Sequence, residues 1–164
     1  MREELLHYIW KNGKIPLSNL YTSRHNSLQI ISFGIHNHVA GPDFFHAKLE
    51  IDGQLWVGNV EIHVKSSDWY VHQHNTDVNY DNVILHVVWE EDTAVYRKNK
   101  EEIPALELIN YIPLTILTNY YKLFGSAKDK FINCEQEVSL IDQFKFSIWL
   151  ERLYFERLEE KSNE

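Results

Sequence analysis

Residues 42–65 read PDFFHAKLEIDGQLWVGNVEIHVK, and this stretch decides the fold. Apolar and polar residues alternate through residues 45–51 and again through residues 54–65, which is the period of a strand with one buried face. Between the two runs stands Asp52-Gly53, a dipeptide that favours the tight turn of a hairpin. We therefore predict an antiparallel β-hairpin over these residues.

Other elements on both sides of the hairpin complete an alternating helix and strand pattern. A helical stripe predicts an N-terminal helix, and the nearly continuous apolar run at residues 83–89 predicts a central strand buried on both faces. The predicted elements are a helix at 3–10, strands at 28–33, 83–89, 93–97 and 103–109, and a short helix or turn at 69–75.

Beyond Pro113 the apolar spacing becomes helical and predicts helices at residues 114–124 and 140–160. We expect an α/β (α+β) fold over residues 1–112, in which a mixed sheet with a central β-hairpin is flanked by helices. Residues 113–164 form a helical C-terminal extension in this interpretation, which is either part of the same domain or the start of a further region.

Composition narrows the class of protein. Hydrophobic residues make up 44% of the 164 residues, which is enough for a core, but the apolar runs are far shorter than the roughly 20 residues of a membrane span. The N-terminus lacks the pattern of a secretory signal, and the single cysteine, Cys134, excludes an internal disulfide. These features favour a cytoplasmic protein with no membrane partner.

The net charge of −8 opposes general adhesion to polyanions and therefore counts against a nucleic-acid partner. The negative charge of carboxylates that hold a divalent cation is offset when the cation binds. The net charge therefore does not exclude a nucleic-acid partner.

The second strand of the hairpin carries a polar face made of Glu61, His63 and Lys65. Such a face is often only the solvated side of a sheet, but Pro42-Asp43 precedes the first strand and brings a second carboxylate. Phosphodiester hydrolysis with Mg²⁺ requires at least two converging carboxylates and a group beside the attacking water. Asp43 and Glu61 are candidates for the first role, and His63 or Lys65 for the second.

Pro42-Asp43, seventeen intervening residues and then Glu61-Ile62-His63 resemble the motif of the PD-(D/E)xK nuclease superfamily. This resemblance implies a restriction-endonuclease-like fold and cleavage of nucleic acid, with DNA as the first choice, that depends on Mg²⁺ or Mn²⁺. It also implies a metal-supporting glutamate on the first helix, a place that Glu3 or Glu4 can fill. The chain departs from the motif because His63 occupies the lysine position and Lys65 lies two residues further on.

A second resemblance covers most of the chain. Residues 41–44, 58–63, 67–69, 72–74 and 80–88 are similar to the bacterial domain-of-unknown-function family 2851, which is found chiefly in Bacteroidetes and has considerably longer members. This resemblance implies no particular activity.

Four histidines, His63, His72, His74 and His86, provide an alternative, nitrogen-rich site for Zn²⁺, Mn²⁺ or Fe²⁺. His86 lies within an apolar strand, where a histidine is more often a core residue than a ligand. Trp69 and Tyr70, just after the hairpin, are candidates for stacking on bases.

Three functions therefore stay open. The preferred one is a Mg²⁺- or Mn²⁺-dependent nuclease. The second is a non-catalytic binding or scaffold domain that keeps a nuclease-like fold and has a protein partner. The third is a histidine-rich transition-metal hydrolase.

Overall fold

The predicted hairpin lies at the centre of the sheet. The computed structural model describes residues 2–124 and 135–162. The two strands of the hairpin are Phe44–Ile51 and Gln54–Lys65. They pair antiparallel, with Ile51 opposite Gln54. Asp52 and Gly53 form the turn, both with positive φ. The hairpin prediction is confirmed.

The sheet is mixed, as predicted. Its strands are β1 (Leu20–Tyr21), β2 (Ser27–Ser32), β3 (Ile35–His36), β4 (Phe44–Ile51), β5 (Gln54–Lys65), β6 (Val83–Glu90) and β7 (Ala105–Glu107). They lie in the order β1-β2-β4-β5-β6-β7, and β3 pairs with the beginning of β4. The pairs up to β4–β5 are antiparallel, whereas β5–β6 and β6–β7 are parallel.

A bulge in β4 sets the position of its first residues. The register with β5 shifts between Phe44 and Ala47, and His46, within the shifted stretch, has a φ of 58°. A bulge bends the strand that carries it. Phe44 consequently lies opposite Val60, and Asp43, the residue before the strand, lies beside Glu61.

Helix α1 (Glu3–Lys11) packs against the sheet with the apolar stripe seen in the sequence. Leu5, Leu6, Ile9 and Trp10 are buried, and the indole N–H of Trp10 donates to the carbonyl of Phe33 at 3.0 Å. The opposite edge of this stripe carries Glu3 and His7, which are partly exposed. The helix therefore brings polar side chains to the boundary of the core.

The parallel pair β5–β6 is connected by residues 66–82, which contain helix α2 (Asp68–Val71) and a 3₁₀ turn (Val78–Tyr80). Trp69 of α2 is fully buried with Tyr80, Val83, Val95 and Ile103. Trp69 therefore has no exposed face for a base, and its prediction as a stacking residue is wrong. A large aromatic ring contributes more to the stability of the fold when it is buried in the core than when it is exposed at the surface.

Two further expectations on the strands need correction. Residues 93–97 form no strand in the described chain, where only Tyr96 pairs, through an isolated bridge with Glu102. Ser66 and Asp92 instead tie this segment to the end of β5. The predicted strand at 103–109 shortens to β7, because Leu108–Asn110 turns into a 3₁₀ helix.

The chain divides into two compact units, Met1–Leu114 and Thr115–Glu164. The C-terminal region is helical, with α3 (Leu114–Phe124), α4 (Glu135–Val138) and α5 (Gln143–Ser162). Cys134 lies outside the described residues. In α5, large apolar side chains such as Phe144, Trp149 and Phe155 are exposed. None of the helices described here has the length and apolarity required to cross a bilayer.

Candidate functional site

The polar face of β5 is buried rather than solvated. Glu61 is 4% exposed and His63 is 1% exposed, although the sequence pattern also suited an outer face. Burying an acid and an imidazole costs free energy unless they are paired or bind an ion. The side chains that surround them are therefore the candidate functional site.

Three imidazoles, which we call the imidazole cluster, converge on this face. His63 comes from β5, His72 follows α2, and His74 lies in the next turn. One nitrogen from each lies within 4.8 Å of the others, and Nε2 of His63 is 3.0 Å from Nδ1 of His72. Three nitrogens at this spacing form a donor set of the kind that holds a transition metal.

The carboxylate of Glu61 joins the imidazole cluster. Its Oε1 lies 3.2 Å from Nε2 of His74 and 3.6 Å from Nε2 of His63. The same nitrogen of His74 is buried and makes no hydrogen bond within the described chain. A buried nitrogen without a hydrogen bond that lies beside a carboxylate is a pair of donors to which a cation could bind.

Asp43 lies on the other side of Glu61, as the sequence predicted for converging carboxylates. Its backbone N–H donates to Oε2 of Glu61 at 3.1 Å, and its own Oδ2 accepts from the N–H of Ile62 at 2.9 Å. These two bonds lock the carboxylates of Asp43 and Glu61 side by side. The β4 bulge is what allows Asp43 to reach β5 in this way.

Helix α1 contributes two more groups. Nε2 of His7 lies 3.2 Å from Oδ2 of Asp43. Glu3, one helical turn before His7, is half-buried and close enough for the charge of Asp43 to affect its pKa, whereas Glu4 is exposed. Of the two glutamates proposed for the first helix, Glu3 is the one on the side of the site.

His86 takes a supporting position. It is fully buried on β6, directly opposite Glu61 in the parallel register, and its Nε2 lies 2.7 Å from Nδ1 of His63. It does not belong to the group of converging ligand atoms, so the structure separates it from the proposed ligands. A histidine ligand usually engages its second nitrogen in this way, which sets its tautomer.

The buried imidazoles are held neutral. Burial, and then the neighbouring His74 and His72, lower the pKa of His63 to about 3. Burial also lowers the pKa of His74, and burial with the adjacent His63 lowers the pKa of His86 well below its usual range. Neutral imidazole is the form that binds a metal.

The acids show the opposite behaviour. Burial, and then the charge of Asp43, raise the pKa of Glu61 to about 9. Burial and Asp43 likewise raise the pKa of Glu3. Burial by itself lowers the pKa of His7, but the nearby carboxylate of Asp43 outweighs it and raises that pKa. Placing these carboxylates close together is therefore unfavourable in the absence of a cation. A bound cation favours the charged carboxylates and lowers their pKa values again.

Two predicted site residues lie apart from these contacts. Lys65 is exposed at the end of β5, two residues beyond His63, and its backbone N–H donates to Asp68. Tyr70 is 38% exposed, and its hydroxyl donates to the carbonyl of Ala94. His7 was missed by the sequence reasoning, although its spacing of four from Glu3 places both on one helix face and is a usable signal.

The donor atoms of the imidazole cluster are of the kind that bind a divalent metal. They suit Mn²⁺, Zn²⁺ or Fe²⁺ better than Mg²⁺. Mg²⁺ is held almost wholly by oxygen, whereas imidazole suits the transition metals. The two metal hypotheses drawn from the sequence thus meet in one place, because Glu61 contacts both the imidazoles and Asp43.

The chain belongs to the family described as Protein of unknown function (DUF2851), whose model matches residues 3–164. The resemblance to that family seen in the sequence is confirmed. No curated protein and no solved structure matched this sequence in the comparisons.

Proposed function

We propose that this DUF2851 protein is a phosphodiesterase that depends on a divalent transition metal and acts on nucleic acid, with DNA as the first choice. The observation that carries the proposal is the convergence of His63, His72 and His74 within 4.8 Å, beside the buried carboxylate of Glu61. Three imidazoles and one carboxylate are a usual ligand set for such an ion.

Each ligand has a definite atom to offer. His63 and His74 would bind through Nε2, His72 through Nδ1, and Glu61 through Oε1. A divalent ion held there supplies Lewis acidity toward a phosphoryl oxygen and makes a water molecule more acidic. Asp43, fixed by the N–H of Ile62, would orient the attacking water beside Glu61.

The choice of nucleic acid as substrate is supported by topology together with the motif. An antiparallel hairpin carries Asp43 and Glu61 at neighbouring positions, and a crossover then leads to the parallel strand β6. This order of elements agrees with the restriction-endonuclease-like arrangement that the PD-(D/E)xK resemblance implies. The crossover helix α2 has only four residues, which is short for that arrangement.

A histidine-rich hydrolase of another substrate is the second candidate. It is favoured by the occupation of the motif's lysine position by His63, whose nitrogens face His72 and His86, and by the net charge of −8. Both candidates use the same metal site and differ only in substrate.

Cleavage of labelled single-stranded, duplex and branched DNA and RNA tests the proposal, with Mn²⁺, Zn²⁺, Mg²⁺ or EDTA. We expect cutting with Mn²⁺ that is lost in EDTA and falls at least about 100-fold in His74→Gln and in Asp43→Asn. His25→Asn is the matched control, because His25 is exposed and asparagine tolerates its positive φ. Hydrolysis of a generic phosphodiester without cleavage of any nucleic acid would favour the second candidate, and no hydrolysis by metal-loaded, folded protein would favour a non-catalytic binding domain.

A further inference from the structure

Three side chains with N–H donors lie near Asp43 and do not belong to the imidazole cluster. We call them the basic strip: Lys11 at the end of α1, His36 on β3 and His38 in the loop that follows. In the β3–β4 pair His36 lies opposite Phe44, the residue after Asp43. The backbone N–H of Asn37 donates to the carbonyl of Asp43 at 2.7 Å. Strand pairing therefore places the strip directly beside the candidate site.

The ring of His36 is held by aromatic neighbours. It stacks on the buried ring of Phe44, with centroids 4.8 Å apart, and meets His38 edge to face at 4.3 Å. On its other side the ring of His7 lies 5.6 Å away. Since Nε2 of His7 is 3.2 Å from Oδ2 of Asp43, successive imidazole contacts lead from Asp43 to His38.

The loop that carries His38 is built around the side chain of Asn37. Its Nδ2 donates to the carbonyls of Val39 and Pro42, both at 3.0 Å, and its Oδ1 accepts from the N–H of Val39 at 3.0 Å. A loop that is closed on itself by such bonds presents its side chains in a fixed arrangement. His38 is therefore held in place beside His36.

Lys11 reaches the strip from helix α1. It lies four residues after His7, on the same face of the helix, and the last turn of α1 is bonded to the segment just before β3. Burial, and then the charges of His38 and Lys11, lower the pKa of His36. The ammonium group is thus close enough to act on the histidines of the strip.

The donors of the strip are uncommitted. In the part of the chain that the structure describes, none of its three side chains donates a hydrogen bond or pairs with a carboxylate. Lys11 and His38 are exposed, and His36 is partly exposed with its Nδ1 buried, so its Nε2 is the nitrogen that can reach a ligand. The carboxylate of Asp43, which would repel an anion, is paired with His7. One ammonium and two imidazoles with free donors are suited to a phosphate oxygen.

We propose that Lys11, His36 and His38 bind a backbone phosphate of the nucleic acid, next to the phosphate that lies at the metal. This position relative to the cleaved bond rests on the proposed function. A chain of phosphates fits the arrangement better than a single phosphate, because the strip starts beside Asp43 and extends away from it. Such contacts position the substrate and carry no sequence information.

Binding of fluorescent single-stranded and duplex DNA, measured by anisotropy in EDTA at pH 8, tests the proposal without requiring cleavage. We expect Lys11→Gln to weaken binding about 5- to 10-fold, as the loss of one charged hydrogen bond does. It should also reduce the slope of log K against log salt by about 0.7 for the single strand and about 0.9 for the duplex.

His38→Gln, and His38→Gln combined with His36→Gln, should weaken binding with a smaller change in the salt slope, because an ordinary imidazole is neutral at pH 8. Lys48→Gln is the matched control for charge, since Lys48 is exposed in the middle of β4, opposite Val57. It should bind DNA like the wild type. Circular dichroism melts show which variants keep the fold, and Lys11→Gln and His38→Gln change only exposed side chains.

Three results would overturn the proposal. The first is no binding of DNA by the wild type, and the second is unchanged affinity in both Lys11→Gln and His38→Gln. The third is an equal loss in Lys48→Gln, which would show an effect of overall charge. A poly-glutamate peptide that competes with DNA and depends more strongly on the same residues would assign the strip to an acidic protein partner instead.

Failure of this proposal and failure of the proposed function give different results. DNA binding that depends on the strip, in a protein that cleaves no nucleic acid with any metal, would keep the strip and reject the phosphodiesterase. Metal-dependent cleavage with DNA affinity unaffected by the strip variants would keep the phosphodiesterase and reject the strip.

Discussion

His63 and His86 face each other across the parallel strands β5 and β6, with Nδ1 of His63 2.7 Å from Nε2 of His86. Since Nε2 of His63 faces His72 and Glu61, Nδ1 must carry the proton whenever Nε2 binds an ion. His86 would then accept that proton's hydrogen bond through Nε2, and its own Nδ1 is buried without a partner in the described chain. His86 thereby selects the tautomer of a ligand.

Replacing His86 is predicted to weaken metal binding without removing a ligand. We expect His86→Phe to reduce the affinity for Zn²⁺ or Mn²⁺ by about 10- to 100-fold, since it removes the hydrogen bond to His63. His86→Gln keeps a polar acceptor and should recover part of the loss. Competition with a metal indicator measures both, and equal affinities for the wild type and the phenylalanine variant would remove the role assigned to His86.

Metal binding is also predicted to stabilise the fold. A free ion concentration of about 100 times Kd adds about 2.7 kcal/mol to the free energy of unfolding, and raises Tm by about 5–10 °C. His74→Gln should abolish most of this increase, because it removes a converging nitrogen. Differential scanning calorimetry with Mn²⁺ or Zn²⁺ against EDTA measures the shift, with His25→Asn expected to behave like the wild type.

Trp69 and Tyr70 are adjacent in sequence but have different expected roles. Trp69 is fully buried, so Trp69→Ala should lower the free energy of unfolding by about 3–5 kcal/mol. Tyr70 is 38% exposed, so Tyr70→Ala should cost less than about 1.5 kcal/mol, chiefly the hydrogen bond to Ala94. Urea unfolding compares the two, and binding of single-stranded DNA to the folded Tyr70→Ala variant shows whether this ring contributes to an interface.

Asp92 supplies a predicted pH dependence away from the metal site. Partial burial by itself raises the pKa of Asp92, but hydrogen bonds from the N–H and hydroxyl of Ser67 and from the hydroxyl of Ser66 outweigh it and lower that pKa. A lowered pKa in the folded state stabilises the protein above the ordinary value of 3.8 and loses that effect as the pH falls toward the folded value.

Asp92→Asn is therefore expected to cost less than about 1 kcal/mol at neutral pH, because solvent weakens the hydrogen bonds of this exposed carboxylate, and to differ less from the wild type in acid. Urea unfolding at a series of pH values gives this difference. A constant difference between the two proteins across the acid range would contradict the assignment.

Local patterns were sufficient for much of the fold. The alternation on both sides of Asp52-Gly53 predicted β4 and β5, and the apolar run at 83–89 predicted a strand that is buried on both faces. The helical spacing at 114–124 predicted α3 with the bounds that the structure has. Each of these signals depends only on residues that are close in sequence. Such elements can therefore be predicted from turn residues and from the spacing of apolar residues.

Other features depend on partners that are distant in sequence. The run at 93–97 has strand-like residues, but Ser66 and Asp92 hold it in an irregular path. Trp69 was a candidate for stacking on bases because it comes just after the hairpin, yet it packs with Val83, Val95 and Ile103. Neither outcome could be predicted from the local sequence pattern, because packing against residues distant in sequence overrides local propensity.

The sequence by itself determined which chemical groups are present and which strand carries them. It placed Glu61 and His63 on one face of β5 and Asp43 ahead of β4, because side chains alternate along a strand. Only the tertiary structure decided that this face is buried and that His72, His74 and His7 reach it, from a crossover and from helix α1. The reason is physical: a ligand set depends on distances between side chains, and the β4 bulge, the parallel β5–β6 pair and the docking of α1 set those distances through packing of remote segments.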